Sequence, residues 1–308
     1  MGAPFFPGGR SATRPTFGGV KLHRPRRPRP PLNSWLVAGP KQMHQIADAP
    51  NQHSVLVLWL LDLQDSAQVN RRRSDLTREM AIPGTHDLVM GVLSQETPMT
   101  NQTHVLDIGA GEGALSERLK KAGASVTACD YAPEQFKAQG IECRKCDKSG
   151  TLPFPDGQFD LAVAVEVLEH IDGHAGFFHE VARILKPGGL FLFTTPNILS
   201  LKSRIQFLFT GSFYSFGLLE PFTDDPIHQH ISPFTMNRYA WMLSQHGLSI
   251  HRVATDKVQT SSLLLSLLVP FIRLASLGQG RNTGLFQKQN SWLLLSGRKL
   301  VIVARKAL

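Results

Sequence analysis

Residues 104–123, HVLDIGAGEGALSERLKKAG, constrain the fold of this chain more than any other stretch. His104 to Ile108 is a short apolar run that stops at glycine, the pattern of a buried strand. Gly109, Gly111 and Gly113 then alternate with other residues, so the backbone can turn sharply and approach a ligand closely. From Glu112 the pattern turns helical: Leu115 and Leu119 lie four apart, charges fill the opposite face, and Gly123 ends the run. Strand, glycine turn and helix in this order open a nucleotide-binding α/β unit.

Two ligand classes suit such a unit, a dinucleotide and S-adenosylmethionine (SAM). A pyrophosphate needs the open N–H groups of a helix start with no anion beside them. Asp107 stands two residues before the first glycine, and Glu112 lies inside the turn. Both repel a pyrophosphate and attract the ammonium and sulfonium of SAM. The glycine spacing also departs from the dinucleotide fingerprint. The residues favour SAM, with the dinucleotide as the alternative.

The chain around this unit alternates strands and helices. A helix is predicted around His86–Gln95, a second strand over Ser125–Cys129 ending in Asp130, and a helix over Pro133–Gln139. A third strand, Ile141–Lys145, runs into Asp147. Phe159–Val165 is near-continuously apolar, as a parallel strand covered on both faces should be. Helix His174–Leu185 places Phe177, Phe178, Val181, Ile184 and Leu185 on one stripe, and Lys186-Pro187-Gly188-Gly189 stops it before strand Leu190–Thr194. Helix Tyr239–His246, strand Leu248–Val253 and strand Leu300–Ala304 follow. This alternation specifies a doubly wound α/β fold with a mostly parallel sheet.

Charge separates a leader from this region. Of the net +9, residues 1–75 carry +7 (11 Lys/Arg against 4 Asp/Glu) and residues 76–308 carry +2 (22 against 20). Nine of the 20 prolines fall within residues 1–50, which prevents a stable helix there. Residues 1–75 are therefore expected to be a disordered leader, or a non-native one if translation starts downstream, for instance at Met80. An organelle transit peptide is the further alternative, although those form amphipathic helices. The folded domain is expected over 76–308, with insertions at about 196–235 and 255–296. Cys129, Cys143 and Cys146 suit a reducing compartment, and the Cys143/Cys146 pair reads as plain thiols rather than a zinc or redox site. The apolar runs Val55–Leu61 and Leu263–Ile272 are shorter than the roughly 20 residues a membrane span needs. The expected location is cytoplasmic, with peripheral membrane contact through 261–277 as an added feature.

Assembled in order, these pieces resemble the class I SAM-dependent methyltransferases across roughly residues 80–308. The resemblance rests on Val105-Leu106-Asp107-Ile108-Gly109-Ala110-Gly111-Glu112-Gly113, Asp130, Asp147, and Leu152-Pro153-Phe154 leading to Phe159-Asp160. Val167-Leu168-Glu169-His170 and Leu185-Lys186-Pro187-Gly188-Gly189 complete it. Within the family, the block ending in Glu169-His170 looks most like the ubiquinone-type O-methyltransferases. The resemblance implies a seven-stranded sheet whose last strand inserts antiparallel, and it implies SAM as cofactor. It places Asp107 and the backbone of Gly109 and Gly111 against the methionine part, with Gly113 also among the cofactor-binding residues. Asp130 would take the ribose hydroxyls, Asp147 the adenine amino group, and Val165 would line the pocket.

The chemistry then needs alignment of donor and acceptor and removal of one proton from a hydroxyl. A histidine suits that role near neutral pH, and His170 follows strand four at the sheet edge where ligands bind. A metal reading competes for the same residues. Glu166, Glu169 and His170, with His230 from the His228–His230 region, make an oxygen/nitrogen set for Mg²⁺. Loop bracing explains the Glu-His pair as well, so the metal-free base is preferred. Six aromatics in Ile198–Phe222 and the apolar run from Leu263 to Ile272 fit a small or lipid-like hydroxylated acceptor, an interfacial helix, a packed core helix or a dimer face. A nucleic-acid acceptor needs a basic groove, so Mg-dependent RNA 2′-O-methylation is the minor alternative. A non-catalytic SAM-binding subunit is the other, and it does not require the intact acid set.

Overall fold

The computed structural model describes residues 77–147, 150–222, 229–277 and 289–308. The expected leader, Leu76 and His228 lie outside the described residues. Helix α1 (Thr85–Glu96) leads into β1 (His104–Ile108), α2 (Ala114–Lys121), β2 (Ser125–Asp130), β3 (Cys143–Lys145) and β4 (Phe159–Ala164). Then come α3 (His174–Ile184), β5 (Leu185–Pro196), α4 (Leu201–Thr210), α5 (Met236–Ser244) and β6 (Leu248–Thr255). Short helices α6 (Thr260–Leu264), α7 (Val269–Leu277) and α8 (Trp292–Ser296) precede β7 (Lys299–Lys306).

The seven strands lie in the order β3-β2-β1-β4-β5-β7-β6. Strands β1 to β5 pair in parallel, with Val105 opposite both Val126 and Leu161. Strand β7 runs antiparallel between β5 and β6, as expected for the last strand. Helix α3 buries Phe177, Phe178 and Val181 with Leu106, Phe191 and Phe193 in one apolar cluster. Val89 and Leu93 of α1, with Leu115 and Leu119 of α2, share a second cluster with Val105, Leu161 and Val163. Alternate residues of β1 and β4 thus enter different clusters, which is why both strands read as unbroken apolar runs. Strand order reverses between β1 and β4, and at such a switch point the loops leave in opposite directions and open a crevice.

Several local expectations need correction. The helix expected over Pro133–Gln139 is a single 3₁₀ turn, Pro133–Gln135. Phe136 goes extended instead, at φ −72° and ψ 127°, and its ring packs against Gly113. The Lys137 N–H donates to the Glu112 carbonyl at 3.0 Å. A tertiary contact with the glycine turn here outweighs local helix preference. Lys186-Pro187-Gly188-Gly189 ends α3 but does not interrupt the sheet. It forms a bulge within β5, where Leu185 pairs with Phe159 and the register shifts before Leu190 pairs with Leu161. Helix α5 begins at Met236, ahead of the expected Tyr239, because the Thr235 hydroxyl caps it by accepting from the Arg238 N–H at 3.3 Å.

Candidate active site

The carboxyl ends of β1, β2 and β4 open onto a cavity of about 740 Å³. Asp107, Gly109, Gly111, Asp130, Asp147, Val165, Glu166, His170 and His230 all border it. Gly113 and Glu169 do not, and each has a different local task.

The glycine turn needs backbone that only glycine adopts freely, and it is closely packed. Gly109, Gly111 and Gly113 have φ of 70°, 53° and 93°, a region that side chains disfavour. A Cβ on Gly109 would stand 2.5 Å from Val167 Cγ2, and one on Gly111 would stand 2.9 Å from Met80 Sδ. Gly113 belongs to the packing layer beneath, against Phe136 and Ala138. Asp130, at the end of β2, fixes this turn from the side: Oδ2 accepts from the Gly111 N–H at 2.8 Å and Oδ1 from the Ala132 N–H at 2.9 Å. Both oxygens keep a second lone pair for a ligand. Asp107 is buried, and its Oδ2 accepts from the Ser116 hydroxyl at 2.6 Å. Burial pushes its carboxyl up to about 7, against the smaller opposing pull of Ser116. Asp147 Oδ1 accepts from the Thr151 N–H at 3.1 Å, which shapes the neighbouring loop. Glu112, by contrast, turns to the Arg78 N–H at 2.9 Å and the Lys137 ammonium at 3.1 Å, outside the cavity wall.

A second group of residues gathers at the other side of the cavity. His170 Nδ1 lies 2.9 Å from the Gln229 carbonyl and His230 Nδ1 lies 2.6 Å from the Ser215 carbonyl. A carbonyl only accepts, so both rings carry their proton on Nδ1 and leave Nε2 as the basic nitrogen. The rings meet edge to face with centroids 4.9 Å apart. Burial and the nearby His170 both lower the His230 pKa. Glu169 is buried, its Oε2 has no hydrogen-bond partner, and burial pushes its carboxyl up to about 8. Among the described residues, Glu169, His170 and His230 form a group whose potential ligand atoms all lie within 4.8 Å of one another.

Glu166 does not join that group, which corrects the expected four-residue metal set. Its carboxylate pairs with Lys299 and accepts from the Ile82 N–H at 3.3 Å. The residue sits at φ 55°, and its own N–H donates to the Thr194 hydroxyl at 2.8 Å. Strain of this kind persists only where several contacts impose it. The N-terminal approach to the cavity was missed by sequence reasoning. Arg78, Met80, Ala81 and His86 border it, although no motif marks them. Only their position just ahead of α1 offered a signal.

Residues 106–193, from β1 into β5, match the family model described as a methyltransferase domain. That stretch is similar to a SAM-dependent methyltransferase domain. A demethylmenaquinone methyltransferase of Tropheryma whipplei is 36% identical over 97 residues, covering 30% of this chain and 41% of the relative. A ubiquinone biosynthesis O-methyltransferase of Methylocella silvestris is 36% identical over 145 residues, covering 44% and 54%. The chain therefore spans about half the length of the curated relatives it matches. A solved SAM-dependent methyltransferase from Archaeoglobus fulgidus aligns with 72% of this chain and 95% of its own at 20% identity and a TM-score of 0.47.

Proposed function

We propose that this protein transfers the methyl group of SAM to a hydroxyl oxygen of a small, apolar acceptor. One observation carries the reading: a single cavity joins three carboxylates near the glycine turn to two histidines across it. The cavity lies in the range of small-molecule sites. Its carboxylates suit a ligand with a sulfonium and an ammonium, and the two glycines that exclude a Cβ let the backbone come close to that ligand. SAM supplies an activated methyl carbon. Asp107 faces its cationic end, Asp130 receives the ribose hydroxyls, and Asp147 receives the adenine amino group. His170 Nε2 takes the acceptor's hydroxyl proton as the oxygen attacks the methyl carbon. When bound, SAM would give up that carbon and leave as S-adenosylhomocysteine.

The first test is binding. Asp130→Ala is expected to weaken SAM and S-adenosylhomocysteine by about 1–3 kcal/mol in calorimetry, through lost hydrogen bonds to the ribose and to the Gly111 N–H. Unchanged affinity would remove Asp130 from the cofactor site. Methyl transfer should then be scanned over quinol, phenol, sugar, lipid and RNA panels. Product formed only from RNA would replace the small-molecule reading.

A pH dependence follows from Asp107. Its folded-state carboxyl is raised from 3.8 to about 7, so ionising it costs stability that is untouched below 3.8 and lost in full above about 7. A bound cation favours the ionised form. SAM affinity is therefore expected to increase as pH rises from about 6 to about 8, by at most about tenfold per pH unit. Asp107→Asn should flatten that limb, which separates it from titration of the cofactor's own ammonium. Equal slopes in both proteins would contradict the assignment.

A second reading of the histidine side is favoured by the orphaned Glu169 oxygen. Glu169, His170 and His230 offer one oxygen and two imidazoles to a divalent cation. This set fits a transition metal better than Mg²⁺, which prefers oxygen ligands. A cation there would acidify the acceptor hydroxyl in place of a base.

A further inference from the structure

We propose that the cap formed by α4, α6, the 265–268 turn and α7 is a docking surface for an anionic lipid membrane. Among the described residues, most of the exposed large apolar side chains belong to this cap and to the loop that follows α4. Phe209 is 80% exposed, Leu264 79%, Leu267 81%, Phe271 70% and Leu274 69%. The elements pack together, since α4 touches α6, the 265–268 turn and α8. Helices α4 and α6 thus each have a covered side, with Leu201, Ser203 and Ser262 buried, whereas α7 adjoins the 265–268 turn. A set this large is unusual on a surface that meets only water.

Charge identifies the occupant. Within the cap elements, residues 201–210 and 260–277, no Asp or Glu occurs, whereas Lys202, Arg204 and Arg273 do; the loop that follows α4 adds Glu220. Elsewhere the described surface mixes both signs, as in the Arg118–Asp87 and Lys186–Asp160 pairs. An apolar surface with cations and without acids matches an interface that offers acyl chains beside anionic headgroups. A second copy of the same cap would bring like charges together. Among the described residues no helix is long and apolar enough to cross a membrane, so the contact is one of lying on the surface.

The loop that follows α4 leads from the cap toward the cavity. Leu218 and Leu219, 90% and 53% exposed, share a shallow depression with Gln229 and His230, and those two residues also border the main cavity. An acceptor held in the membrane would reach His230 past Leu218 and Leu219. This last point rests on the proposed function; the docking itself does not.

The test uses the full chain, SAM present, and vesicles of phosphatidylcholine alone or mixed with phosphatidylglycerol. Co-sedimentation should rise by about tenfold or more with the anionic lipid and fall with added salt. The basic residues 1–75 could also attract anionic vesicles, so the deciding comparison is a Leu264→Ser/Leu267→Ser/Phe271→Ser variant that keeps them. That variant should lose about tenfold or more of the binding while its SAM affinity and thermal melt stay unchanged. Equal vesicle binding by the variant overturns the proposal. So does a wild-type dimer, seen by sedimentation velocity, that the variant converts to monomer without any change in vesicle binding. Failure to methylate any acceptor would sink the proposed function alone, since vesicle binding is read without turnover.

Discussion

Replacing His170 by alanine is expected to lower methyl-transfer turnover by about 10²–10⁴-fold while leaving SAM affinity unchanged. The reason is positional. His170 follows β4 in the 3₁₀ turn Leu168–His170, and its Nδ1–H is committed to the Gln229 carbonyl. That bond orients the ring, and in the proposed mechanism Nε2 is the nitrogen that takes the proton. SAM would instead be held by Asp107, Asp130 and Asp147, so donor binding should survive the change. Dialysis against EDTA separates the two roles that the ring can play. If Nε2 takes the proton itself, chelation leaves the rate alone. If Glu169, His170 and His230 hold a cation, chelation abolishes activity, added metal restores it, and His230→Ala is rescued at high metal concentration. We favour the base, because the carbonyl already explains the ring's orientation. Loss of activity on chelation, with recovery by Mg²⁺ or a transition metal, would decide for the cation.

The second large effect concerns the fold. Phe178→Ala is expected to cost about 3–5 kcal/mol of stability. The side chain is fully buried on α3, with ring centroids of Phe177, Phe191, Phe193 and Tyr239 5.9–6.5 Å away. Phe191 and Phe193 lie on β5, in the middle of the sheet, so the void cannot close without moving strands. At roughly 2–4 °C per kcal/mol for a folded region of this size, the melting temperature should fall by about 10 °C. A urea or thermal melt measures it directly. A loss under about 1 kcal/mol would mean that the aromatic layer repacks and that α3 is not the anchor of this face.

The sequence by itself determined whatever depends on neighbours along the chain. The strand–glycine–helix unit at 104–123 is legible because alternating glycines and a change of hydrophobic period are local signals, and the structure reproduces β1 and α2 there. The unbroken apolar runs of β1 and β4 announced strands covered on both faces. The parallel sheet followed from the alternation of strands and helices, and the antiparallel last strand from the family resemblance. Asp107, Asp130, Asp147, Val165, His170 and His230 were named from their motifs, and all six border one cavity.

Only the tertiary structure decided the rest, because it joins residues whose separation leaves no local trace. Phe136 abandons a helix to pack on Gly113, a contact made by the return of the chain past the glycine turn. Glu166 looked like a metal ligand by its spacing from Glu169 and His170, yet Lys299, 133 residues away on β7, takes its carboxylate. His230 reaches His170 because the Ile231 N–H donates to the Glu169 carbonyl at 2.8 Å, pinning the two segments together. Burial then raises Glu169 to about 8 and leaves one oxygen orphaned, a property of the enclosure and not of the residue type. Spacing along the chain names the groups that chemistry needs. Their protonation, partners and distances come from the long-range packing that encloses them, which a local pattern does not encode.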